Sequence, residues 1–162
     1  MAELNMDQKI RVQNLSNVPT YFRCLDRPVD AKIPSNGSVL FTISEILNQV
    51  NAGNPEFVGT DGKGAHAGLY ITEKYVRVAA GFELENDGKK QEIFDEEAII
   101  ALFKENNPEK FYKSLKNKIV SIGEKETLKA ILDAGKVNEH NKVEIAQKYL
   151  NGENVEFPKN NQ

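Results

Sequence analysis

Glu83-Leu84-Glu85-Asn86-Asp87-Gly88-Lys89-Lys90-Gln91 is the stretch on which the reading of the fold turns. It is polar apart from Leu84, and Asp87-Gly88 is a turn signal, so it forms either a hairpin turn or a linker between domains. Before it, apolar residues come in short alternating runs; after it, they recur every three or four positions. An α+β chain is therefore expected. A small β-rich domain with one or two short helices would occupy residues 1–85, a bundle of short helices 92–152, and a loose polar tail 153–162.

N-terminal to this stretch, Gln8 to Leu15 alternate apolar and polar, with Ile10 and Val12 on one face of a half-buried strand. Ser16, Asn17 and Pro19 supply turn chemistry, and Tyr21, Phe22, Cys24 and Leu25 make a second β-prone run closed by Asp26, Arg27 and Pro28. Two strands across a short turn are most simply a hairpin. Pro34-Ser35-Asn36-Gly37 is a strong turn leading to a third strand at Val39, Leu40 and Phe41. The period then changes: Ser44 can cap a helix carrying Ile46, Leu47 and Val50, which Gly53 and Pro55 would stop. Leu69-Tyr70-Ile71 reads as a strand returning to the sheet. Thr72 is the expected cap of a short helix through Tyr75 and Val76 to near Gly81.

C-terminal to the stretch, Asp95 is an expected N-cap, with Glu96 and Glu97 in the first turn and Ile99, Leu102 and Phe103 forming the apolar stripe. Asn107-Pro108 opens a second helix with Phe111 and Leu115 inward. Ile119, Val120 and Ile122 make a short apolar run before Gly123. A third helix carries Leu128, Ile131 and Leu132 and ends at Ala134-Gly135. A fourth carries Val143, Ala146, Tyr149 and Leu150 and ends at Asn151-Gly152. A bundle of about 55 residues is near the lower limit of independent stability, so it is expected to lean on the β domain or on a neighbouring protein.

The 162 residues are 40% hydrophobic and 28% charged, enough to bury an ordinary core and too apolar along their length for a disordered body. No stretch approaches the ~20 uninterrupted apolar residues of a membrane span. Met1-Ala2-Glu3-Leu4-Asn5-Met6-Asp7 has no basic region leading into an apolar one, so no secretory signal is read. The single cysteine, Cys24, excludes an internal disulfide and fits a reducing cytosol. Lysine outnumbers arginine 17 to 4, with 17 asparagines and no tryptophan, a bias that AAA and AAT codons of an AT-rich genome would give.

The net charge of −3 is a sum of unlike parts. Residues 1–103 carry 10 basic and 15 acidic side chains, whereas 104–148 carry 10 lysines and 7 acids. A basic back half could meet a polyanion. Lysines 104, 110, 113, 116, 118, 125 and 129 alternate with acids where helices are expected, however, and a solvated, ion-paired helix face explains them as well.

Candidate chemistry is sparse. His66, His140 and Cys24 lie far apart in the sequence, so no zinc set is read. Cys24 falls in an apolar strand, as a small buried hydrophobe would. Gly59-Thr60-Asp61-Gly62-Lys63-Gly64-Ala65-His66-Ala67-Gly68 invites a phosphate-loop reading, but Lys63 is followed by Gly64 and no helical pattern, which leaves a mobile surface loop. Glu83, Glu85, Glu96, Glu97 and Asp61 sit in polar contexts without the apolar flanks that would raise a carboxyl pKa for acid catalysis. No catalytic residue, cofactor-binding residue, cofactor or metal is assigned, and the expectation is that the chain is not an enzyme.

The order of elements carries a resemblance. An opening strand reads Ile10-Arg11-Val12-Gln13-Asn14-Leu15-Ser16-Asn17. A Pro34-Ser35-Asn36-Gly37-Ser38 turn then precedes Phe41-Thr42-Ile43-Ser44-Glu45-Ile46-Leu47. A glycine-rich gap leads to Leu69-Tyr70-Ile71, and a helical unit opens Phe94-Asp95-Glu96-Glu97-Ala98-Ile99-Ile100-Ala101-Leu102. Over about residues 8–150 this resembles small structural proteins of tailed bacteriophages, found among head-associated virion proteins. Ser44-Glu45-Ile46-Leu47 lacks the second glutamate of that pattern, and residues 56–68 do not align with it. The resemblance implies a non-enzymatic, capsid-associated role in decorating or cementing the head. The chain would be made in the bacterial host cytoplasm and localised in the virion. The partners implied are other virion proteins, the major capsid protein first, with a homo-oligomer as a further expectation, and neither nucleic acid nor membrane. Tyr21, Tyr70, Phe82, Phe111 and Tyr112 are the candidate aromatic anchors, though each suits a core better than an interface. The alternative is a phage or bacterial regulatory protein whose helical domain binds nucleic acid or a host protein.

Overall fold

Ile10, Val12 and Asn14 alternate with Lys9, Arg11 and Gln13, and Lys9–Asn14 forms β1 with the first three side chains buried and the others exposed. The computed structural model describes residues 3–86 and 90–157. The expected hairpin between β1 and the next β-prone run does not form. That run, β2 (Thr20–Arg23), pairs antiparallel with β3 (Asp30–Ile33) in a separate two-stranded sheet. β1 instead lies between β4 (Ser38–Thr42) and β5 (Leu69–Ile71), antiparallel to both, with Val12 opposite Val39 on one side and Ile71 on the other.

The cause is local. Asn14 Oδ1 accepts from the backbone N–H and the hydroxyl of Ser16, and Ser16 Oγ donates to Val18 O. These bonds turn the chain out of the ladder before Pro19, which has no N–H to donate. β3 has only two apolar residues in Asp-Ala-Lys-Ile, too few to read as a strand from the sequence. The strand expected to reach Leu25 stops at Arg23, leaving Cys24 buried and Leu25 exposed.

α1 (Ile43–Asn51) is capped by Thr42, not Ser44. Glu45 lies three residues after Thr42, the spacing of a capping box, and each side chain bonds the other's backbone N–H. Gly53 ends this helix with φ +77°, but Pro55 begins another, α2 (Pro55–Val58), behind an Asn54 cap. α3 (Lys74–Ala79) starts after Glu73, and the expected cap Thr72 instead donates its hydroxyl to Arg11 O, continuing the β1–β5 pairing.

The helices that follow are α4 (Glu96–Leu102), α5 (Pro108–Lys118), α6 (Ile122–Asp133) and α7 (His140–Leu150), capped respectively by Asp95, by Asn107, by the Ser121/Glu124 capping box, and, without a side-chain bond, by Glu139. His140, expected in the turn before the last helix, is its first residue. Of the run Ile119, Val120 and Ile122, only Ile119 is buried; Ile122 is 79% exposed at the start of α6.

Contacts divide the chain into two compact units between Ile93 and Phe94. Ile10, Val12, Ile33, Phe41, Ile46 and Phe57 belong to the core of the first, and Ile99, Phe111, Leu115, Leu128, Ile131 and Ala146 to the core of the second. The stretch Glu83 to Gln91, expected as polar turn or linker, contributes two buried side chains, Glu83 and Gln91, to the first unit. Its Asp87-Gly88 turn and the tail from Pro158 lie outside the described residues.

Candidate functional site

The sequence-marked reactive side chains do not converge. Cys24 is buried in the first core, His140 in the second unit is almost wholly exposed beside Glu144, and His66 lies in the glycine-rich loop. Among the described residues, no three His, Cys, Asp or Glu side chains group so as to hold a metal ion, and no helix is long and apolar enough to cross a membrane.

The glycine-rich segment, expected to be mobile, is closed by its own hydrogen bonds. Asp61 Oδ1 accepts from the N–H groups of Lys63 (2.7 Å) and Ala65 (3.0 Å), Thr60 N donates to Ala65 O, and Gly64 N to Val58 O. Partial burial acts to raise the Asp61 pKa, but those N–H groups and the Lys63 charge outweigh it and hold the carboxyl below its ordinary value. At Gly59, φ is +67° and a Cβ would sit 1.9 Å from Ala65 O, so glycine is required there. The chain leaves this loop into β5, not into a helix, and so offers no phosphate-facing helix N-terminus.

Glu83, read from the sequence as a solvated carboxylate, anchors a buried polar network. Arg77 Nε donates to Glu83 Oε2 (2.8 Å), Arg77 Nη1 to Ile71 O (2.6 Å), and the guanidinium lies 4.8 Å from the Tyr70 ring centroid. Gln91 N donates to the same Glu83 oxygen, and Gln91 Nε2 to Gly64 O. The network ties α3, β5 and the glycine loop together through charge-assisted bonds. Glu56, on α2, has its pKa raised by burial.

Of the five candidate aromatic anchors, Tyr21 alone is exposed, at 61%. Phe82 and Phe111 are core residues of the first and second units, the role that suited them better than an interface. Tyr70 is half-buried under Arg77, and Tyr112 packs against the rings of Tyr149 and Phe157.

The exposed apolar surface lies elsewhere. α3 buries Val76 and Arg77 and leaves much of its apolar surface outward: Arg77 is 8% exposed, whereas Tyr75 is 42% exposed, Ala79 is exposed and Val78 is half-buried, beside an exposed Lys74. A surface helix ordinarily keeps its charged side chains on the solvent face, so the buried Arg77 is the departure here. Together with Leu4 of the N-terminal segment, Tyr75, Val78 and Ala79 form the apolar wall of an open groove of about 880 Å³. Glu3, Glu73 and Glu85 stand around it, with Lys74 as the one basic lining residue among the described residues. Sequence reading found the helix and named Tyr75 but did not orient it. The available signal was that Lys74-Tyr75-Val76-Arg77-Val78-Ala79 holds more apolar residues than one inward face can bury.

The lysine excess over 104–148 is local and does not extend to the whole second unit. Asp95, Glu96 and Glu97 belong to the second unit, so residues 94–162 carry 11 lysines and 12 acids, and residues 1–93 carry 10 basic and 12 acidic side chains. Within the second unit Asp95, Glu96, Glu97, Glu153 and Glu156 offset the excess of lysines over 104–148. Lys116 and Lys125 lie over the rings of Tyr112 and Tyr149, and Lys142 is buried, donating to Phe103 O and paired with Glu139. Comparison of the chain with protein-family models, with curated proteins and with solved structures finds no match.

Proposed function

We propose that the chain is a structural protein of a tailed-bacteriophage virion, associated with the capsid, and that it acts by binding other virion proteins rather than by catalysis. The observation that supports this reading best is the groove along α3, where an apolar helix face is turned to solvent. An unpartnered apolar face costs free energy in water and is characteristic of surfaces that bind another protein. The order of strand, turn, helix and terminal helical unit, which resembles head-associated phage proteins, gives the reading its context. A nucleic-acid role has for support only the lysine excess over 104–148, which acids elsewhere in the same unit offset.

Mass spectrometry of density-purified phage particles from the genome that encodes the chain tests the reading. Its peptides are expected in the particle band at a fixed ratio to the major capsid protein. Abundance in the lysate with absence from particles would overturn it.

A further inference from the structure

We infer that the groove between Leu4 and α3 receives a basic amphipathic segment of a partner protein; this rests on the proposed reading that the chain works by binding other proteins. The groove joins two kinds of surface. Its wall is apolar through Leu4, Tyr75, Val78 and Ala79, and its rim is acidic through Glu3, Glu73 and Glu85 against Lys74. An occupant that satisfies both has apolar side chains along one side and lysines or arginines flanking them, the pattern of a helix laid into a groove. Charge complementarity of this kind sets which partner is accepted and how fast it arrives.

A second copy of the chain fits less well, because a two-fold contact over this groove would place the acidic rim against itself. The C-terminal residues of this chain are also otherwise engaged, since Val155 and Phe157 pack on the core of the helical unit. Arg77 does not neutralise the acidic rim, because its guanidinium is committed to Glu83 and Ile71 O. It does fix the orientation of α3. With Arg77 bonded inward, Tyr75, Val78 and Ala79 have no way to turn away from solvent.

The test uses the full-length, isotope-labelled chain and two helical peptides of about 14 residues, one built from leucine and lysine and one with every lysine replaced by glutamate. The leucine/lysine peptide is expected to shift the amides of Leu4 to Gln8 and of α3, and to bind at least about tenfold more tightly than its acidic counterpart at low salt. Val78→Asp and, separately, Glu73→Lys should each weaken that binding at least about fivefold without lowering the thermal midpoint. Equal binding of both peptides, shifts centred away from the groove, or full binding by both variants would overturn the inference. So would a concentration-dependent dimer that Val78→Asp dissolves, which would make a second copy the occupant. Recovery of Val78→Asp in virions at the wild-type ratio would also overturn the groove as the docking site while leaving the virion reading standing. Specific peptide binding by a chain absent from particles would do the opposite.

Discussion

Asn14 is fully buried, and all of its side-chain hydrogen-bonding capacity is used: Nδ2 donates to Val18 O and Ile33 O, and Oδ1 accepts from Ser16 N and Ser16 Oγ. One side chain thus turns the chain out of β1 and fastens the end of β3 to it. Asn14→Ala removes the amide's bonds to Ile33 O, Val18 O and Ser16 N, only Val18 O keeping a second donor in the Ser16 hydroxyl, and is expected to cost about 3 kcal/mol in urea unfolding, with an unchanged m-value. Glu56 is a contrasting case, because burial raises its pKa. The folded state then holds the proton more tightly than the unfolded state, so this group's contribution falls as pH rises through the folded pKa. Glu56→Gln is therefore expected to raise the thermal midpoint at neutral pH, with the difference shrinking as pH drops below the ordinary glutamate value. A larger difference at acid pH would contradict the sign.

Among the helices, caps and packing were legible to different degrees. Asp95 and Asn107 announce α4 and α5 because a capping side chain acts on backbone two or three residues away. At α1 the same local logic selected Ser44, whereas Thr42 wins because only it has a glutamate at the box position. The orientation of α3 was not legible, since it depends on Glu83, which the sequence presents as one more surface acid. Arg77→Met would strand the Glu83 carboxylate in the interior and should cost about 3 kcal/mol. Arg77→Met with Glu83→Leu should regain part of that loss, falling short by about 2 kcal/mol for the bonds lost by the N–H of Gln91 and the carbonyl of Ile71. Equilibrium unfolding of both variants checks the pair; a double variant no better than the single would show that the ion pair is not the link.

The two units have separate apolar cores, and the residues that join one core do not join the other. A cavity made in one is therefore expected to stay there. Phe111→Ala removes a fully buried ring that packs 4.8 Å from Phe103 and should destabilise the helical unit by about 3–5 kcal/mol. Hydrogen exchange should then quicken across α5 and α7 while β1 keeps its protection. Equal loss of protection in β1 would mean that the chain unfolds as one cooperative body.

Sequence alone determined what depends on near neighbours: the α+β class, β1 and β5 as strands, the helical character of the second half, and the glycine and proline punctuation. Alternation, helical period and caps act over a few residues, so they can be read from the chain. The tertiary structure decided what depends on distant partners. It placed β1 between β4 and β5 because Asn14 bends the chain away from a hairpin. It turned Arg77 inward because Glu83 was there to receive it, and so left the apolar side of α3 facing water.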